Sequence, residues 1–155
     1  MVTILVIEIV HIRAARSCGV GRASQGQMTT ILIVDDDPLQ ASAMMSLLGR
    51  RFGEVRRATD ASEALCLIEQ PDLAGRLGLV ISGHHTRGIG GPAFVAELQS
   101  RMPDLPVLVL GTPGTAPADS SDGKVVFLPR PAAGEKMLSV VGQMLAHRNQ
   151  KNAVA

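Results

Sequence analysis

The stretch Thr29–Leu39, TTILIVDDDPL, constrains this chain more than any other. Ile31–Val34 is an unbroken run of aliphatic residues, the pattern of a strand covered on both faces. It stops at Asp35, Asp36 and Asp37, and Pro38 follows. Asp directly before Pro favours a helix start: the carboxylate accepts from free backbone N–H groups, and proline at the first helical position gives up no hydrogen bond. A buried strand therefore hands directly into a helix, with carboxylates crowded at the strand's carboxyl end. That edge is where open parallel α/β sheets bind ligands. Carboxylates so placed repel one another unless a cation or a basic side chain joins them. A metal ion or a buried Lys or Arg is expected beside them; taken alone, the stretch fits equally well a capped βα turn with solvated acids.

The 155 residues are enough for one domain with a closed core. A hydrophobic content of 46% marks the chain as globular. A net charge of +1 gives no reason to expect nucleic acid or an anionic membrane as partner. Arg50, Arg51, Arg56 and Arg57 read as a solvated rim around a turn. Cys18 and Cys66 are too few for a disulfide framework, and a cytoplasmic, reducing environment is expected.

Residues 1–28 read differently from the rest. Met1–Ile12 is mostly apolar but interrupted by Glu8, too short to span a bilayer, and without the cleavage pattern of a signal peptide. Arg13–Gln27 shows no period. MVTILVIE at the start matches MTTILIVD at Met28 in four of eight positions. The segment is read as a disordered tail or a misassigned start, with Met28 as the natural first residue.

From Met28 the alternation is regular. Pro38–Arg50 is expected as a helix with Leu39, Ala43 and Leu47 on one face, widened by Met44, Met45 and Leu48. Glu54–Ala58 is a second strand. Asp60 or Thr59 caps a helix over Ala61–Gln70, carried by Ala61, Leu65 and Ile68 and ended by Pro71. Leu77–Ser82 is a third strand, and the glycine-rich loop 83–91 leads to a helix over Pro92–Met102 through Phe94, Val95 and Leu98. Pro106–Leu110 and Val125–Leu128 are the fourth and fifth strands. A last helix, about Ala133–His147, carries Leu138, Val141 and Leu145, with Met137, Val140 and Met144 beside them. Such alternation implies βαβ units with right-handed crossovers: an α/β domain with a doubly wound five-stranded parallel sheet over 29–147, and a tail over 148–155. Gly111–Lys124 holds three Gly, two Pro and no apolar period, so the helix between the fourth and fifth strands is expected to be shortened or lost.

These blocks carry a resemblance. ILIVDDDP, LVISGHHTRGIGG, PVLVLGT and VVFLPRP stand in order and at suitable spacing. Over about residues 29–146 the chain resembles the receiver domain of two-component response regulators, a flavodoxin-like (βα)5 fold. In that family a histidine kinase passes a phosphoryl group to an aspartate at the end of the third strand. An acid pair after the first strand holds Mg²⁺, which neutralises charge on the transferring group. A Ser/Thr after the fourth strand and a Lys after the fifth grip the phosphate. Carried over by position, Asp35 and Asp36 match the acid pair. The phosphoacceptor position falls on Gly83, the hydroxyl position on Gly111, the lysine position on Arg130 before Pro131, and the aromatic switch on Phe127.

The departures shape the functional expectation. Gly83 has no side chain to form an acyl phosphate or to ligate a metal. Gly111 removes the sensing hydroxyl, for which Thr112 is a partial substitute in the switch, and Arg130 offers a planar fork where the family has a point charge. Arg87 stands where many receivers have proline. The resemblance is thus to a degenerate receiver. Mg²⁺ at Asp35 and Asp36 is expected to bind weakly, since ligand charge sets much of the affinity. Arg130 is expected to pair with these acids instead.

His84 and His85 read as loop histidines with a lesser metal or phosphate-accepting reading. The glycine-rich GIGG and GTPGTAP fit no nucleotide fingerprint, and Cys66 is expected to be packed. Met44 and Met45 suit the core, or a docking edge, since the resemblance puts the kinase against this helix. The expected function is a non-enzymatic, phosphorylation-independent module of phosphorelay signalling that binds a histidine kinase or another two-component protein. Alternatives are phosphoacceptance on an unorthodox residue such as His84, His85 or a nearby acid, a flavodoxin-like small-ligand binder, and a fragment of a larger hybrid kinase or regulator.

Overall fold

The aliphatic runs form the strands their composition demands. In a computed structural model, which describes residues 29–83, 89–112, 114 and 123–154, these are β1 (Thr30–Val34), β2 (Val55–Ala58), β3 (Leu77–Gly83), β4 (Val107–Gly111) and β5 (Val125–Pro129). They assemble in the order β2-β1-β3-β4-β5 with every neighbouring pair parallel. Helices α1 (Pro38–Phe52), α2 (Ala61–Ile68) and α3 (Gly91–Arg101) lie in the crossovers that parallel neighbours require, and α4 (Gly134–Val154) follows the last strand. Among the described residues no helix is long and apolar enough to cross a membrane. The region expected to hold a shortened helix falls between β4 and β5, where 113 and 115–122 lie outside the described residues.

Alternation along β1 sends Leu32 and Val34 to one side of the sheet and Ile31 and Ile33 to the other. The first side packs on Ala61, Ala64, Leu65 and Ile68 of α2 and on Phe94 and Leu98 of α3. The second packs on Met44 and Leu48 of α1 and on Met137, Val141 and Met144 of α4. Each fully buried Leu or Ile contributes about 1.5–3 kcal/mol. The exposed Arg101–Glu97 and Arg101–Glu69 pairs are worth at most ~1 kcal/mol each, so the core and not the surface charge decides stability.

Two helical faces are turned from the expected ones. In α1 the buried set is Ala41, Met44 and Leu48, while Leu39 is 81% exposed. Two residues are about 200° on a helix, so a helix that presents Ala41 to the sheet must present Leu39 to water. In α4 the innermost residues are Met137, Val141 and Met144, with Leu138, Val140 and Leu145 half-buried beside them. That helix also runs past His147 to Val154, so 148–154 are helical rather than a tail. Arg148 donates from Nη1 to the Leu77 carbonyl at the start of β3.

Asp37 caps α1, accepting from the N–H groups of Leu39 at 2.9 Å and Gln40 at 3.4 Å, with Pro38 at the first turn. Asp60 caps α2 by accepting from Glu63 N–H at 2.8 Å, and the Glu63 carboxylate reaches back to Thr59 N–H at 2.7 Å and Thr59 Oγ1 at 2.6 Å. The helix ends at Ile68, short of the expected Gln70, and Pro71 opens a separate turn, Pro71–Ala74. Cys66 is exposed rather than packed, because Ala61, Ala64, Leu65 and Ile68 take the inner face.

Beside Gly78 the β1–β3 register shifts, and a Cβ there would lie 1.9 Å from Thr29 Cγ2 and 3.1 Å from Leu145 Cδ2. Gly78→Ala is expected to cost about 1–3 kcal/mol in urea unfolding; an unchanged midpoint would show that the strand accepts a side chain. The Thr59 hydroxyl, then the Thr59 N–H, hold the Glu63 carboxyl below its ordinary value. The stability this gives is present above the unfolded carboxyl value and lost as pH falls through the lowered folded one. The advantage of the wild type over Glu63→Gln should therefore be seen at neutral pH and vanish in acid, read from denaturation midpoints across a pH series.

Candidate functional site

Parallel register brings the carboxyl ends of four strands to one edge. Val34 pairs with Ser82, Gly83 with Leu110, and Gly111 with Pro129, while Arg130 N–H donates to the Gly111 carbonyl at 2.7 Å. Residues 35, 83, 111 and 130 therefore meet, and Asp35, Asp36, Asp37, Gln40, Gly83, Gly111, Thr112 and Arg130 line a cleft of about 340 Å³.

Asp35 is buried, and both of its carboxylate oxygens are in use. Oδ1 accepts from the Asp37 N–H at 2.9 Å, which folds the chain from β1 into α1. Oδ2 accepts from Arg130 Nη2 at 3.3 Å. The other arm of that guanidinium, Nη1, donates to Gln40 Oε1 on α1. The Arg130–Pro131 peptide is cis. Of the acids at the end of β1, Asp35 thus has the basic partner its burial requires, and it is Arg130.

Two contributors carried no signal of this role in the sequence. Arg57, expected as part of a solvated rim, instead reaches from β2 to the same turn. Its Nε donates to the Asp35 carbonyl at 3.1 Å and its Nη2 to the Asp36 carbonyl at 3.3 Å. Only the strand order, with β2 beside β1, places it there. Gln40 is the other; its place one turn after the Asp37 cap is readable, its partner across the sheet is not.

Gly83 ends β3, and its φ is not positive, so the backbone asks for no glycine. A Cβ there would meet Arg130 Nη2 at 3.8 Å, an ordinary contact. Gly111 is buried at the cleft and Thr112 exposed on its rim. Phe127 is half-buried and packs against the core on the α2–α3 side of the sheet, away from the cleft lining. Met44 is buried in the core and Met45 packs half-buried against it. His84, His85 and Arg87 lie outside the described residues.

The residues present do not reproduce the Mg²⁺ site that the resemblance implies. Such a site uses one or two carboxylates with free oxygens. Here Asp35 accepts a protein donor on each oxygen, one of them a cation, Asp37 caps α1, and Gly83 supplies nothing, which leaves Asp36 of the expected acid pair. Among the described residues no group of three His, Cys, Asp or Glu side chains could hold a metal.

This strand order with these flanking helices is the flavodoxin-like receiver fold. The chain is similar to a response regulator receiver domain protein from Clostridium thermocellum, at 19% identity and a TM-score of 0.71 over 82% of this chain and 99% of that one. It is also similar to a CheY-like response regulator receiver domain protein from Methanospirillum hungatei, at 20% identity and a TM-score of 0.68 over 79% and 98%. A third is the signal receiver domain of an HD domain-containing protein from Pseudomonas fluorescens, at 23% identity and a TM-score of 0.66 over 79% and 98%. No protein-family model matches the sequence, and neither does any curated protein.

Since neither conformation nor space demands glycine at 83, Gly83→Asp should fold with a stability within about 1 kcal/mol of the wild type or above it. Thermal and urea unfolding of the two proteins side by side check this; a loss beyond that range would mean that the cleft rejects a carboxylate.

Proposed function

We propose that this chain acts in two-component signalling as a receiver-fold module that binds another protein and is not itself phosphorylated. One observation carries the reading. Gly83 occupies the end of β3, the phosphoacceptor position of the receiver resemblance, and has no nucleophile to offer. Phosphoryl transfer to a receiver is covalent catalysis by a carboxylate, and without the carboxylate the step has no acceptor atom. Two neighbouring features support it: the hydroxyl position is Gly111, and Asp35 is paired with Arg130. What such a module keeps is its surface, and its partner is a histidine kinase or another two-component signalling protein.

Incubation of the full chain with acetyl phosphate and Mg²⁺, read by intact mass, should leave the wild-type mass unchanged. Capture of a candidate kinase should be equal with and without that treatment. A gain of one phosphate on the wild type would overturn the reading and send the search to His84, His85 or an acid near the cleft.

A further inference from the structure

We propose that the Arg130 guanidinium is the resident cation of this site, standing where the receiver resemblance implies a divalent ion. In this role it ties the β1–α1 turn to the β5–α4 turn without any ligand. The proposal goes beyond the binding role above and does not depend on it.

Asp35 carries the buried charge of this site. Its side chain is 6% exposed, so its charge is costly unless a partner neutralises it. A divalent ion could do so, but at Asp35 it would meet a donor already on each oxygen, and one of those donors is a cation that repels it. Oδ1 is committed to the Asp37 N–H, and that bond shapes the entry into α1. Oδ2 is committed to Arg130 Nη2. Displacing the first would loosen the turn, and displacing the second would drive a guanidinium away so that another cation could enter.

Arg130 suits the task because its fork points in two directions at once. One arm holds Asp35 and the other holds Gln40, so a single group joins β1, α1 and the segment leading to α4. The absence of a side chain at Gly83 belongs to the same design. The position a Cβ would take lies 3.8 Å from the guanidinium, so no carboxylate there competes with Asp35 for the fork.

The test is a thermal melt of the full chain with and without millimolar Mg²⁺, at matched ionic strength. Wild type should melt at the same temperature in both. Arg130→Met should melt lower and regain part of the loss when Mg²⁺ is added, because Asp35 is then left without a cation. If Arg130→Met does not fold, Arg130→Lys takes its place. A compact ammonium lacks the planar fork that holds Asp35 and Gln40 in fixed directions, so its melting should rise with Mg²⁺ where that of the wild type does not. Calorimetric titration should show Mg²⁺ binding at least about tenfold tighter in Gly83→Asp/Arg130→Lys than in wild type, since ligand charge sets much of the affinity. A wild type stabilised by Mg²⁺, or an Arg130→Met protein that melts like the wild type and ignores Mg²⁺, would overturn the proposal. None of these readings involves phosphate, so they fail or succeed apart from the proposed function.

Discussion

A parallel sheet aims its strand ends at one another, and here that geometry forces a charge problem that a single ion pair answers. Asp35 closes β1 in a buried position and meets Arg130, which enters from the far side of β3 and β4. Exposed ion pairs of this protein, such as Lys124 with Asp104, hold long side chains in water and gain little by it. The Asp35–Arg130 pair differs because its acid is buried: loss of either partner leaves something uncompensated. Around it the backbone is fixed by Arg57, whose two bonds to the Asp35 and Asp36 carbonyls hold the turn from the sheet's edge.

The fold does not need the site's chemistry to stand. Its two apolar layers lie on either face of the sheet, and neither includes Gly83, Thr112 or Arg130. A chain of this architecture can lose an acceptor carboxylate or a hydroxyl at the strand ends and still bury the same core. This separation between scaffold and strand-end groups is why likeness in fold to receiver domains carries no statement about the chemistry at the cleft.

Much of this architecture was legible because the apolar runs are long and cleanly punctuated. Ile31–Val34, Leu77–Ser82 and the Asp37–Pro38 start each read one way, and the structure has them so. The meeting of Arg130 with Asp35 was readable once strand order was in hand from the family resemblance. What failed was rotational phase. Leu39 and Ala43 fit a helical stripe as well as Ala41 and Met44 do, and only packing on Ile31 and Ile33 chooses between them. Cys66 failed for the same reason on α2. Arg57 was hidden because a side chain's reach across strands is not a property of its own neighbourhood in sequence.

The long closing helix has a mechanical meaning. Just before α4, Arg130 grips the carboxyl end of the sheet, and far along the same helix Arg148 grips the Leu77 carbonyl at the opposite end of β3. Two different strands, β1 through Asp35 and β3 through Leu77, are thereby tied to one stretch of chain, one at each edge of the sheet.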